Sequence, residues 1–159
     1  MTTPDAPLVL RHDDDRGVCT LTLNRPAAFN ALSEEMLTAL QSELDNLSKS
    51  QKLRVLVIAA SGKAFCAGHD LRQMRAEPSM DYYQKLFSQC GQMMMSIQKL
   101  QVPVIAKVQG IATAAGCQLV AQCDLAVASS EAKFAVSGVN LGLFCATPSV
   151  ALSRNVSRK

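Results

Sequence analysis

Between residues 18 and 24 apolar and polar side chains alternate, with Cys19, Leu21 and Leu23 set against Thr20, Thr22 and Asn24. A period of two predicts a strand that buries one face. Leu8 to His12 is a second β-prone run, and the polar stretch Asp13-Asp14-Asp15-Arg16-Gly17 between the two predicts a hairpin loop, with His12 a solvated surface residue. Asn24-Arg25-Pro26 ends the second strand, because proline has no N–H to give to a ladder. Ser33 before Glu34 and Glu35 reads as an N-cap with acids in the first turn. Leu37, Leu40, Leu44 and Leu47 then recur at helical spacing, predicting an amphipathic helix over about 33–49.

From residue 54 onward strand and helix patterns alternate. Arg54-Val-Leu-Val-Ile-Ala-Ala is one apolar run closed by Ser61-Gly62, as expected of a strand buried on both faces. A helix is predicted from Asp70 and a longer one from about Ser79 to Leu100. Leu86, Cys90, Met93, Met94 and Ile97 mark the apolar face of the longer helix, so Met93-Met94-Met95 reads as core filling. Pro103 to Val108 predicts a strand, Ala114 to Ala121 a short apolar helix, and Asp124 to Ala128 a further buried strand. The alternation predicts an α/β protein with no linker that would split it into two domains.

Composition narrows the classes. A chain of 159 residues that is 48% hydrophobic and 18% charged is too apolar for a disordered protein. No apolar run reaches the roughly 18–20 residues that a membrane span needs. The start, Met1-Thr-Thr-Pro-Asp-Ala-Pro-Leu, has neither a basic nor an apolar signal region, so a cytoplasmic protein is expected. The six cysteines lie mostly in apolar stretches without a C-x-x-C pair, which predicts reduced, buried thiols and no metal site.

The net charge of +3 is uneven: residues 1–81 hold 9 basic and 11 acidic side chains, residues 82–159 hold 7 and 2. A basic tail (Arg154, Arg158, Lys159) accounts for part of this, and attraction to a polyanionic ligand such as a phosphorylated cofactor is the functional alternative. Nucleic acid fits poorly, since there is no Trp and no basic cluster before the tail.

Two strand-to-helix turns carry small residues: Phe65-Cys66-Ala67-Gly68-His69-Asp70 and Gly110-Ile111-Ala112-Thr113-Ala114-Ala115-Gly116-Cys117. Small side chains let a ligand reach the backbone, and the first N–H groups of a helix are unpaired donors. Two such donors aimed at one point would stabilise negative charge on a carbonyl oxygen. Close packing is the competing explanation for the same residues. No dinucleotide, P-loop or nucleophile-elbow motif is present.

At these turns the sequence resembles the enoyl-CoA hydratase/isomerase (crotonase) family. The matching segments are Leu23 to Leu32 (Leu-Asn-Arg-Pro-Ala-Ala-Phe-Asn-Ala-Leu), Lys63 to Leu71, Pro103 to Gly110, Ala114 to Leu119 with Cys123-Asp124, and Phe134 to Gly142. Its His-Asp-Leu and Ala-Thr-Ala-Ala-Gly-Cys-Gln-Leu variants are most similar to the subgroup called enoyl-CoA hydratase domain-containing protein 3.

The resemblance implies an α/β spiral of ββα turns that takes a fatty acyl-CoA or enoyl-CoA thioester as substrate, with no tightly bound cofactor. It implies an oxyanion hole from the backbone N–H groups of His69 and Ala115. It places the CoA pocket at Ala27 and Ala28, with Ala67, Asp70 and Leu71. A lysine common in hydratases is replaced by Ala27. The two catalytic glutamates of the family fall on Gln118 and Gly138; a carboxamide orients water without taking its proton, and glycine has no side chain. No Asp or Glu follows Glu131. The resemblance thus implies a family enzyme with hydration weakened or lost, or alternatively a non-catalytic acyl-CoA-binding or regulatory module.

Family members run to roughly 260 residues, so residues 1–159 are expected to be the N-terminal spiral core of a truncated domain, without the C-terminal helical region. Gly142 to Val150 is largely apolar and is expected to lack a covering helix, which predicts self-association as a trimer or hexamer, or a longer parent chain. Cys145 is expected to be a small buried thiol, the alternative being an acid or nucleophile near the site.

Overall fold

The computed structural model describes residues 6–76 and 78–157, so Met1 to Asp5, read for a signal pattern, and the tail cations Arg158 and Lys159 lie outside the described residues. Two strands open the chain, β1 (Val9–Asp13) and β2 (Val18–Leu23), paired antiparallel with Val9 opposite Leu23 and Asp13 opposite Cys19. The loop between them is held by the Asp14 carboxylate, which accepts from the N–H groups of Arg16 and Val18, each at 2.9 Å. His12 lies exposed on β1 opposite Thr20, and Asp13, paired with Arg11 at 2.7 Å, extends the strand opposite Cys19.

Helix α1 (Glu34–Leu47) starts where the acids predict, with the Ser33 hydroxyl accepting from Met36 N–H at 3.2 Å. Thereafter the chain repeats one unit: a strand in a first sheet, a short strand in a second, then helix. The first unit is β3 (Val55–Ala60), β4 (Ala64–Cys66), α2 (Leu71–Ala76) and α3 (Met80–Lys99). Next come β5 (Val104–Val108), β6 (Ile111–Thr113) and α4 (Ala115–Gln122); β7 (Leu125–Ala128), β8 (Lys133–Ala135) and α5 (Ala146–Asn155) follow.

The first sheet has the order β1-β2-β3-β5-β7 and the second β4-β6-β8, all pairings after the hairpin being parallel. The product is a spiral of ββα turns in an α/β protein. Its core lies between one face of the large sheet and α1 and α3. Leu21, Leu23, Leu56, Ile58, Leu40, Leu44, Met93 and Met94 are all 1% exposed or less there.

Three expectations are corrected. β3 buries Leu56 and Ile58 fully but leaves Val55 and Val57 half-buried, because helices cover one face of the sheet. β7 is the exposed edge of that sheet, with Leu125 at 60% and Val127 at 65% exposure, so it is not a buried strand. Met95 points outward, so only two of the three consecutive methionines fill the core. The segment after Gly142 itself forms α5, which buries Pro148 and Ala151 against α4 with Asn155 Nδ2 donating to Ala121 O at 2.9 Å, while Leu143, Phe144 and Val150 stay exposed, as expected of an apolar stretch without a covering helix.

Candidate functional site

The first small-residue turn is fixed from below by the segment after β2. Asn30, fully buried with φ +54°, donates through Nδ2 to Ser61 O and Ala64 O and accepts from Arg25 N–H. Leu32 then pairs with His69 as a parallel bridge: Leu32 N–H donates to Gly68 O at 2.8 Å, and Asp70 N–H to Leu32 O at 3.3 Å. In such a bridge the middle residue's own N–H points the opposite way. His69 N–H is therefore turned away from Leu32.

The next residue is held just as firmly. Asp70 forms a 2.6 Å ion pair with Arg25 and accepts from Arg72 N–H at 3.0 Å, capping α2. Burial would raise the Asp70 carboxyl, but the Arg25 guanidinium and the Gln73 and Arg72 N–H groups outweigh it and hold it below the ordinary carboxylate range.

The second turn locks onto the first. Gly68, at φ +92°, has Ala114 Cβ only 2.9 Å from where its own Cβ would stand, so no side chain fits. Gly116 lets the first turn of α4 lie on β4: a methyl there would overlap the Cys66 carbonyl oxygen. Ala114, at φ +50°, donates its N–H to Ala135 O at 2.9 Å and delivers Ala115 as the first residue of α4. The N–H of a first helical residue has no intrahelical acceptor.

Between the turns lies a mostly apolar cavity of about 310 Å³, its wall including Ala67, His69, Leu71, Ala115, Gly138 and Cys145. The structure thus brings five predicted site residues into one wall. Four others lie elsewhere: Ala27 is exposed and Ala28 half-buried on the turn Pro26–Ala28, Asp70 faces Arg25, and Gln118 is buried in α4.

The His69 ring stands edge-on to Phe87, centroids 5.3 Å apart at 79°. Its Nδ1 is buried and has no partner among the described residues; burial lowers its pKa, with the Leu32 backbone opposing. Gln118, 5% exposed, likewise has an unpartnered Oε1. At Gly138 a Cβ would lie 2.6 Å from Cys145 Sγ and 3.0 Å from Leu143 O. The thiol fills the room in which a side chain at 138 would grow. Cys145 is half-buried on the cavity wall, which corrects its expected full burial.

A second cavity of about 540 Å³ shares Ala67 with the first and is lined by Phe29, Lys63, Gln109, Glu131 and Lys133 among others. Neither lysine was singled out from the sequence. The parallel register sets Lys133 beside Ile111 and Ile111 beside Ala64, so two cations far apart in sequence meet at one end of the small sheet. Lys133 belongs to the basic excess of the second half, whereas nothing in the charge balance of the first half marks Lys63. Among the described residues no group of three or more His, Cys, Asp or Glu could hold a metal ion, and no helix is long and apolar enough to cross a membrane.

The family model of enoyl-CoA hydratase/isomerase matches residues 13–159. Enoyl-CoA hydratase domain-containing protein 3, mitochondrial, of Xenopus laevis is 49% identical over 145 residues, covering 91% of this chain and 49% of the relative. Its human counterpart is 50% identical over 143 residues, covering 90% and 47%. The chain therefore spans about half the length of these curated relatives. A crystal structure of an enoyl-CoA hydratase from Mycobacterium smegmatis superposes with a TM-score of 0.94 at 66% identity, covering 96% of this chain and 60% of the other. The expected cytoplasmic location is overturned, since these curated relatives are named as mitochondrial proteins. The absence of a signal pattern at the start was the wrong guide.

Proposed function

The chain belongs to the enoyl-CoA hydratase/isomerase family, and on that premise we propose that it binds an acyl-CoA or enoyl-CoA thioester and polarises its carbonyl with the N–H groups of His69 and Ala115. The observation that carries this reading is the shared wall. His69 and Ala115, supplied by two turns 46 positions apart, line one apolar cavity. In such a water-poor site an oriented N–H is worth about 3 kcal/mol toward a developing oxyanion. The acyl chain lies against Leu71 and Phe144, and the phosphates of CoA take the neighbouring cavity between Lys63 and Lys133, whose charge suits a polyanion. Ala67, shared by both cavities, leaves room for the connecting arm.

The protein is an enzyme of lyase or isomerase type with hydration weak or lost. Among the described residues no carboxylate lines the cavity, and the glutamate positions implied by the family hold Gln118 and Gly138. The same observation favours a second reading, a binding module that keeps the pocket and turns nothing over. Calorimetric titration with butyryl-CoA, alongside crotonyl-CoA hydration followed by absorbance, separates them. Binding with slow hydration supports the enzyme reading, binding with buffer-rate hydration and no isomerisation supports the module, and no binding sinks both. The CoA thioester is a substrate here, and the protein holds no cofactor tightly. We further propose a homo-oligomer, trimer or hexamer, whose copies cover the exposed β7 edge; sedimentation showing a monomer at high concentration would refute it.

A further inference from the structure

We infer that the His69 imidazole is the proton-transfer group of this cavity, so that the chain catalyses α-proton exchange and double-bond shift in an acyl-CoA thioester. The inference rests on the proposed thioester site. Three observations support it. First, among the described residues lining the cavity His69 is the one imidazole, a side chain able to accept a proton near neutral pH. Second, His69 Nδ1 is buried with no partner among the described residues, a costly arrangement unless a ligand completes it. Third, the ring is fixed by its edge-on contact with Phe87, so little freedom is lost on binding.

The environment keeps that imidazole in its basic form. Burial disfavours the charged ring, so it is neutral at physiological pH and able to accept a proton. The ionisable groups facing it are few. Asp70, next in sequence, is turned to Arg25; the Tyr83 hydroxyl on α3 donates to Met74 O; Cys145 lines the same cavity.

The chemistry balances without a further reactant. An imidazole nitrogen takes a proton from the carbon next to the thioester carbonyl. The C–H electron pair becomes the C=C of an enolate, and the negative charge moves to the carbonyl oxygen between the His69 and Ala115 N–H groups. Returning the proton from the imidazolium to the same carbon gives exchange. Delivery to the γ-carbon of an unsaturated chain gives the shifted double bond. One residue then serves twice, its backbone as oxyanion donor and its side chain as base.

The test is deuterium uptake from D₂O into butyryl-CoA and interconversion of 2- and 3-hexenoyl-CoA, both read by mass spectrometry and NMR. The wild-type chain should exchange, with a rate that rises with pH and has its midpoint below the ordinary histidine value. His69→Gln should lose roughly 10²–10⁴-fold in exchange while binding butyryl-CoA within a few-fold, because the oxyanion donor is backbone. Added imidazole should restore part of the rate in His69→Ala, a rescue that a merely structural role would not give. Exchange unchanged in His69→Gln, or a wild-type rate flat from pH 5 to 8, overturns the inference even if a variant folds poorly. Wild-type binding without exchange also overturns it while leaving the thioester site intact. Absence of any binding overturns the site itself.

Discussion

Replacing Gly116 by alanine tests how the oxyanion geometry is built. A methyl at this position overlaps the Cys66 carbonyl oxygen and approaches the carbonyl carbon to 2.7 Å and Cys66 Cβ to 2.8 Å. Two of the three obstacles are backbone atoms of β4, which cannot rotate away. The first turn of α4 must retreat from the strand, at a cost near the upper end of the ~1–3 kcal/mol typical of overpacking. Alanine's better helix propensity offsets at most about 1 kcal/mol, less at a helix start. A net loss of about 2 kcal/mol is expected. Gly91 is the control: it sits inside α3 with nothing within 4 Å of an added Cβ, so Gly91→Ala should gain about 0.5–1 kcal/mol. Urea unfolding followed by far-UV circular dichroism measures both. The function should also suffer, because Ala115 precedes the displaced residue, and a 1 Å misplacement of such a group can cost ~10²-fold. If Gly116→Ala is as stable as Gly91→Ala, or binds and polarises a thioester like the wild type, the packing argument is wrong.

Other expectations follow from the same geometry. Gly138→Glu should not restore hydration by itself, since its side chain meets Cys145 Sγ; the double change with Cys145→Ala should be better tolerated, as thermal melts and crotonyl-CoA hydration would show. Gln118→Glu places a carboxyl where the amide oxygen already lacks a partner, so its pKa should rise and stability should fall as pH increases, read from melts between pH 5 and 9. Two acid steps should appear in wild-type stability. The lowered His69 pKa gives stability that is complete above the ordinary histidine value and lost as pH falls below it, a step absent in His69→Gln. The lowered Asp70 pKa gives stability present above the ordinary carboxylate value and lost further into acid, a step absent in Asp70→Asn, which keeps the cap but should also cost about 1 kcal/mol at neutral pH through the lost ion pair.

Local signals carried the reading of the elements. The Ser33 cap, the helix start near Ser79, the leucine spacing of α1 and the Leu86-to-Ile97 face of α3 depend on neighbours three or four residues away, and all appear as expected. What failed depends on distant partners. The apolar runs of β3 and β7 look alike in sequence, yet one is central and the other is an edge strand. The site shows the same division. The resemblance pointed to His69 and Ala115, but that they share a cavity depends on glycines that let two turns interlock. That Lys63 and Lys133 line one cavity follows from strand register, and the encounter of Cys145 with Gly138 from the loop that leads into α5.

The most direct test of the central claim is the carbon-13 resonance of a thioester carbonyl label in bound butyryl-CoA. The account predicts a clear downfield shift on binding, reduced in Gly116→Ala, since two N–H donors draw charge toward the oxygen. A bound ligand whose carbonyl resonates as it does in water would contradict the oxyanion site, however tightly that ligand binds.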